Sequence, residues 1–302
     1  MTRVDAWPPL PLEEWAPTKE TLHRWCQIVG KVRMALTPPL NHWWHVTLRV
    51  SARGVTTGPM PCGPGLLAEV ELDLVAHRAV VRTSEGATRD FALRDGLSVA
   101  AFHERLFDAL ASVGVSCVIR PTPFDLPDAT PFPDDHEHRA YDADAVGRWW
   151  AVLRAAADAF GEFSGRFSGK TSPVQLFWHG LDLAVTRFSG RRAPQAEGVD
   201  AVTAEAYSHE VVSFGFWAGD DRVPAPAFYS YTAPEPPGLT DQPLEPAGAA
   251  WRTGPTGSLA LLMYREMRVA PDPRAALMAF LESAYLAGAT TAGWDVEGLA
   301  HR

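Results

Sequence analysis

The alternation of apolar and polar residues along the chain predicts a mixture of helices and strands. After Thr18, apolar residues recur every three or four positions up to Leu36, as on the buried face of an amphipathic helix. From Trp43 to Arg53 they alternate residue by residue, which is typical of a half-buried strand. The same patterns predict helices at 98–113, 142–160 and 272–288, and strands at 66–75, 78–84, 89–93, 117–120, 173–187, 211–217, 227–232 and 258–264.

This order of elements predicts two α+β units, at residues 1–120 and 142–302, joined by a linker at 121–141 that is rich in Pro and Asp. Residues 37–54 are identical to residues 171–188 at five of 18 positions. We therefore expect an internal duplication, in which two antiparallel sheets, each flanked by helices, are related by a pseudo-twofold. Ligand sites favour the cleft between two such halves.

Composition narrows the class of protein. The chain has 302 residues, 46% of them apolar, and a formal net charge of -9, which argues against the basic surface of a nucleic-acid-binding protein. No apolar run is long enough to cross a membrane, and the first residues do not resemble a signal peptide. Three widely separated cysteines suit a reducing compartment. We expect a cytoplasmic monomer or homodimer that binds neither membrane nor nucleic acid.

The segment Ser164–Thr171 resembles a phosphate-binding loop, except that Ser164 replaces the first glycine. Its predicted context also differs, because it follows a helix and precedes a strand, whereas such a loop follows a strand and opens a helix. Nucleotide hydrolysis is therefore not expected. Lys170 is interpreted as a charge that complements the end of a helix.

Histidines supply the candidates for acid–base chemistry or metal ligation. On a strand, His42 and His45 point to opposite faces, so they can share a metal ion only if Asn41 and His42 belong to a preceding turn. The alternative is an aromatic core with a hydrogen-bonded histidine. His209 precedes Glu210 at the start of a strand, where it is either a general base, a ligand or a structural residue.

Charged residues in the strand predicted at 173–187 extend this set of candidates. Asp182 lies between leucines and needs a partner, for which Arg49, Arg53 or a histidine of the other half is available. Arg187 and Arg191 close the same strand, and guanidinium groups bind carboxylate or phosphate well. The alternative is a solvated basic turn that pairs with the protein's own carboxylates.

The leading hypothesis is a small-molecule enzyme with its site between the halves, of unknown reaction, metal and cofactor. One alternative is a non-catalytic protein with an aromatic pocket for a small anionic or aromatic ligand. Another is a structural or dimeric interaction protein with an exposed aromatic patch. The candidate catalytic residues are His45, His209, Glu210 and Asp182, and the candidate substrate-binding residues are Arg53, Arg187, Arg191, Trp44 and Trp178.

Long strings of the sequence resemble an uncharacterised bacterial family that is catalogued only as a domain of unknown function. They are LPLEEWAPTKETLHRWCQIVGKVRMALTPPLNHWWHVTLRV, LDLAVTRFSGRRAP, AYSHEVVSFGFW and PAFYSYTAPEP. The resemblance covers nearly the whole chain and implies a cytoplasmic protein of about this size. It implies no activity, cofactor or catalytic residue. The family tends to have Gly where this chain has His179, which argues against a catalytic role for that residue.

Overall fold

The computed structural model describes residues 5–195, 197–255 and 257–301. The helices within these residues are α1 (Ala16–Leu36), α2 (Val99–Ser112), α3 (Ala143–Gly165), α4 (Ala201–Ala206), α5 (Tyr264–Arg268) and α6 (Pro273–Thr291). The strands are β1 (Arg49–Val50), β2 (Gly54–Thr56), β3 (Met60–Gly63), β4 (Leu66–Asp73), β5 (Arg78–Thr83), β6 (Thr88–Ala92), β7 (Gln175–Phe177), β8 (Asp182–Arg192), β9 (His209–Trp217), β10 (Ala227–Ala233), β11 (Ala250–Gly254) and β12 (Gly257–Met263).

The predicted α+β class with two antiparallel sheets is confirmed. The first sheet has the strand order β1-β2-β4-β5-β6, with β3 also paired to β4. The second has the order β11-β12-β10-β9-β8-β7. The two sheets meet at their edge strands, where Leu48 and Leu176 exchange both backbone hydrogen bonds at 2.9 Å. This junction places Arg49 beside Gln175, where one face of each sheet continues into the other.

The two faces of the second sheet differ in composition, one being apolar and the other polar and aromatic. The register assigns residues to the faces, since paired residues in neighbouring strands lie on the same face. One face packs against α3 and α6, and its phenylalanines interlock with those of α3, as Phe214 does with Phe163 at a ring distance of 4.8 Å. The opposite face carries polar and aromatic residues, several of them partly exposed. They include Asp182, Thr186, Ser213, Trp217, Tyr229 and Tyr231.

The predicted helix starts at Ser98, Asp142 and Asp272 are confirmed, since each side chain accepts a backbone N–H of the first turn. The helix predicted after Thr18 begins two residues before it, at Ala16, so Thr18 is not its N-cap. Thr18 instead accepts a hydrogen bond from the backbone of Asp142 at 3.0 Å, which ties the start of α1 to the start of α3.

The strand predicted at Trp43–Arg53 is wrong over its first half. Asn41–Trp43 is a single 3-10 turn, and the ladder begins only at Arg49. His42 and Trp43 have φ values of 56° and 59°, in the left-handed region, which no strand accommodates. The strand predicted at 173–187 is a hairpin, β7 and β8, that turns at Leu181 with φ 52°. Residues 117–120 form no ladder with any described part of the chain.

The duplication is not confirmed. The aligned segments differ in conformation, since Asn41–Trp43 forms a 3-10 turn where Gln175–Phe177 forms a strand. One hydrophobic cluster includes residues of both predicted units. The segment 121–141 is attached to α1, where Gln27 bonds both backbone groups of Phe124, at 2.7 and 2.9 Å.

His23 holds the β7–β8 turn against α1. Its Nε2 donates to the carbonyls of Trp178 at 2.9 Å and His179 at 3.0 Å. Burial, together with the nearby charge of Lys19, lowers the pKa of His23 from 6.5 to about 4. The folded protein therefore keeps this imidazole neutral where an unfolded chain would protonate it.

This difference predicts acid sensitivity. Between pH 6.5 and about 4 the unfolded chain takes up a proton at His23 and the folded chain does not, so stability falls as the pH falls. The full loss below this window is about 3 kcal/mol. His23→Gln keeps an N–H donor but cannot titrate, and we expect its free energy of unfolding to fall less over the same window. Urea titrations at several pH values measure this, and parallel pH dependence of the two proteins would contradict it.

A second prediction concerns the contact between α1 and Trp178. A Cβ added at Gly30 would lie 2.1 Å from Cδ1 of Trp178, whose Nε1 is fixed by a 2.7 Å bond to the carbonyl of Val46. Gly30→Ala should destabilise the protein by about 1–3 kcal/mol despite the higher helix propensity of alanine. Gly161→Ala in α3 is the control, because nothing lies within 4 Å of its added Cβ. Thermal unfolding should show opposite effects of the two substitutions.

Candidate functional site

Three basic side chains meet at one end of the second sheet, on its polar and aromatic face. Lys170 lies in the loop between α3 and β7, His42 in the 3-10 turn before β1, and His209 at the start of β9. Lys170 Nζ donates to His42 Nε2 at 2.8 Å. The imidazole rings of His42 and His209 are 5.5 Å apart. Residues distant in sequence therefore form one cluster, called here the Lys170–His42 site.

Helix α4 fixes the turn that carries His42. The backbone N–H of His42 donates to the Glu205 carboxylate at 3.1 Å, and its Nδ1 donates to the Ala206 carbonyl at 3.2 Å. Asp200 caps α4 and so holds these acceptors in place. Two successive non-glycine residues with positive φ cost about 1–3 kcal/mol each, and such strain is concentrated at functional sites.

These bonds also define the protonation pattern of the pair. Because Nδ1 of His42 carries the hydrogen donated to Ala206, Nε2 is an acceptor and suits the Lys170 ammonium. Burial and the charge of Lys170 lower the pKa of His42, which keeps the ring neutral.

Two aromatic rings lie beside the Lys170 amine. Lys170 Nζ lies 4.9 Å from the centre of the Phe188 ring and 5.3 Å from that of Trp44. Partial desolvation lowers the pKa of Lys170, although the carboxylate of Glu205 opposes the shift. Lys170 makes no ion pair with any described residue. Its neutral form is therefore more accessible than that of an ordinary lysine.

A row of tyrosines continues the same face of the sheet. Tyr207, directly after α4, shares a hydrogen bond with Tyr231 at 3.0 Å between hydroxyl oxygens. Tyr231 is stacked on Tyr229, whose hydroxyl donates to Asp182 at 2.5 Å. Burial raises the pKa of Asp182, and the nearby His179 and the tyrosine hydroxyl oppose it. The partner of Asp182 is thus Tyr229, rather than an arginine or a histidine of the other half.

The structure brings two of the residues predicted from sequence into the Lys170–His42 site, namely His209 and Trp44. His45 lies in the same turn but is buried elsewhere, and its Nδ1 accepts from the Leu40 N–H at 3.2 Å. Glu210 forms an ion pair with Arg191 at 2.7 Å. His42 and His45 therefore point to different surroundings and share no common ligand position.

The remaining predicted residues lie outside the site. Arg53 pairs with Asp73 at 2.5 Å on the first sheet. Arg187 is buried against aromatic rings, 3.4 Å from the centre of Phe163, and donates to the Phe163 carbonyl. Trp178 packs on α1, as described above. The structure gives each of these side chains an internal partner.

Sequence reasoning missed His42 and Lys170. For Lys170 the interpretation as a helix-terminal charge is wrong, because α3 ends at Gly165 and the side chain reaches His42 instead. One signal was present, namely the possibility that Asn41 and His42 belong to a turn, which the structure shows to be so. A second was the lysine in a string resembling a phosphate-binding loop.

Residues 5–195, 197–255 and 257–301 contain no group of three or more His, Cys, Asp or Glu side chains that could hold a metal ion. None of the helices they form is long and apolar enough to span a membrane.

A family model matches residues 7–301, which is almost the entire chain. The chain belongs to DUF5996, a family of unknown function. The resemblance seen in the sequence is thereby confirmed. Neither the curated proteins nor the solved structures give a match to this DUF5996 chain. Its function must be inferred from the geometry of its own residues.

Arg191, predicted to bind a ligand, instead caps the end of helix α6 in this DUF5996 chain. Its guanidinium donates to the carbonyls of Ala292 and Gly293, at 2.7 and 3.2 Å, just beyond the end of α6. Arg191→Met should lower the free energy of unfolding by about 1 kcal/mol or less, because helix-end carbonyls lose a charged donor. Chemical denaturation measures this, with Arg89→Met as an exposed control. An unchanged free energy in Arg191→Met would contradict the capping role.

Proposed function

We propose that the protein is a small-molecule enzyme in which Lys170, positioned by His42, transfers protons to and from an anionic substrate. The observation that carries the proposal is the 2.8 Å hydrogen bond from Lys170 Nζ to the neutral His42 Nε2, in a turn held with positive φ. A lysine whose pKa is lowered by desolvation, hydrogen-bonded to a neutral imidazole, gives up its proton more readily than an ordinary lysine and can act as a general acid or base.

The roles of the two side chains follow from their solvent exposure. Lys170 is exposed and can contact a substrate, whereas His42 is buried. In this arrangement Lys170 is the catalytic residue, and His42 is a positioning residue whose Nε2 accepts a hydrogen bond from the amine. Trp44 and Phe188 keep bulk water from the amine on one side.

The charge around the site favours an anionic substrate. Arg192 is paired with His209 across β8 and β9, and its guanidinium adds a positive charge near His209. The charges of Lys170 and Arg192, after desolvation, lower the pKa of His209. Four basic groups thus face one carboxylate, that of Glu205. A carboxylate or phosphate group on the substrate would balance the excess.

A second candidate function, non-catalytic binding of an aromatic or hydroxylated ligand, has its own support. Tyr207, Tyr229 and Tyr231 present partly exposed rings and hydroxyls on the same sheet face. Such rings provide stacking surface and hydrogen-bonding groups for a small ligand.

Reductive labelling with glyoxylate, an anionic aldehyde, tests the proposal, because only an unprotonated amine forms the imine that the reductant traps. The chain has lysines only at positions 19, 31 and 170, so peptide mass spectrometry resolves them. Burial lowers the pKa of both Lys19 and Lys170, so the comparison of the two aldehydes isolates the effect of the substrate's charge. Near neutral pH we expect glyoxylate to label Lys170 faster than Lys19, and acetaldehyde, which lacks the charge, to lose this preference. Since the pKa of Lys170 is lowered, its labelling should reach half its maximum below pH 10.5.

His42→Asn is the matched variant, because asparagine tolerates the left-handed conformation but removes the imidazole acceptor. We expect it to change the pH at which Lys170 labelling is half-maximal. Equal labelling of Lys19 and Lys170 by glyoxylate, or an unchanged profile in His42→Asn, would refute the proposal. Incubation of the protein with a mixture of small organic acids distinguishes catalysis from non-catalytic binding. If the protein is an enzyme, the wild type consumes at least one of the acids and a Lys170→Met variant does not. If the protein only binds a ligand, neither consumes any acid.

A further inference from the structure

A second group of cations lies at the junction of the two sheets, on the other side of the Asn41–His45 turn. Arg33, near the end of α1, is only 9% exposed. Its side chain makes no ion pair or hydrogen bond with any residue that the structure describes, and its Nε is buried without a partner. A buried guanidinium normally has a carboxylate partner, because an unpaired charge in the interior costs stability.

Arg49 brings a second positive charge to the same place. Its only side-chain hydrogen bond within the described chain is to the Gln175 amide oxygen, at 3.4 Å, and it forms no ion pair there. Burial lowers the pKa of both arginines, and the charge of Arg49 lowers that of Arg33 further, to about 10. Two like charges thus lie close enough to repel each other, and neither forms an ion pair with a described residue.

His45 contributes a third donor. Because its Nδ1 accepts the Leu40 N–H, the ring hydrogen is on Nε2. Burial and the charge of Arg33 lower the pKa of His45, so the ring stays neutral and remains a donor. No acceptor for this Nε2 is found in the part of the chain that the structure describes.

A glycine, which has no side chain, lies beside Arg33. Gly58, with φ 63°, lies against the guanidinium, and an added Cβ there would be 3.7 Å from its Nη1. Two carboxylates of the first sheet are engaged elsewhere, since Glu71 pairs with Arg82 and Glu69 accepts from Thr56. Among the described residues, the one side-chain acceptor bonded to the side chains of Arg33, Arg49 and His45 is the Gln175 amide oxygen, which Thr47 also uses.

We propose that Arg33, Arg49 and His45 form a binding site for a phosphate group, either free phosphate or a phosphate monoester. Two guanidinium groups carry two positive charges, which match the two negative charges of a phosphate dianion. A single carboxylate would neutralise only one of the two positive charges. This site does not depend on the proposed function of the Lys170–His42 site, because the two share no liganding residue.

Isothermal titration with inorganic phosphate, at constant ionic strength in chloride, tests the site. We expect the wild-type protein to bind phosphate, and Arg33→Met and Arg49→Met to bind it at least about tenfold more weakly. Arg89→Met, at an exposed arginine, should bind it as the wild type does. The losses in Arg33→Met and Arg49→Met should persist when each is combined with Lys170→Met, which removes any binding of phosphate at the Lys170–His42 site. A phosphate monoester that binds more tightly than phosphate identifies the ester as the ligand.

Thermal unfolding supplies a readout that a merely structural arginine would not give. Without phosphate, Arg33→Met should unfold at the same or a higher temperature than the wild type, because it removes an uncompensated buried charge. With phosphate, the wild type should be the more stable of the two. Three outcomes would overturn the proposal: no phosphate binding by the wild type, equal binding by acetate, or loss of stability in Arg33→Met and Arg49→Met regardless of phosphate.

Discussion

The burial of helix α1 is the constraint on which the surrounding structure depends. Every residue from 21 to 33 is buried, so the polar side chains of this helix must find partners inside the protein. Gln27 meets the backbone of Phe124, and His23 meets the carbonyl of Trp178. These bonds fix two irregular parts of the chain, the segment 121–141 and the turn between β7 and β8. The linker is thus held by side chains of a helix rather than by neighbouring strands.

The cations of the same helix have three different environments. Arg24 pairs with Asp135 at 3.3 Å, and Lys31, which is 4% exposed, lies over two aromatic rings at 5.7 and 6.0 Å. Arg33 has neither kind of partner among the described residues. The adjoining Asn41–His45 turn presents His42 to one group of basic residues and His45 to another. A short strained segment after α1 therefore separates two positively charged surroundings.

Sequence patterns predicted correctly those helices and strands that are determined by residues close together in the chain. Helix α3 follows from its cap at Asp142 and its apolar periodicity, and the strands of the second sheet follow from alternation. The Lys170–His42 contact joins residues 128 positions apart, which no local pattern encodes. Residues 43–48 alternate like a strand, but contacts with α4 hold the preceding turn in a left-handed conformation. Candidates such as Arg191 have the right chemistry, yet whether they meet a ligand or a helix end depends on distant packing.

The distribution of carboxylates explains why these cations stay unpaired. On the polar face of the first sheet, Glu71 pairs with Arg82 and Asp73 with Arg53. On the second sheet, Asp182 is bonded to a tyrosine. A chain of net charge -9 has carboxylates in excess, so the absence of one beside Arg33 within the described structure does not reflect a shortage. An uncompensated buried charge destabilises a fold unless something outside the chain neutralises it, and a bound anion is the simplest group that does so.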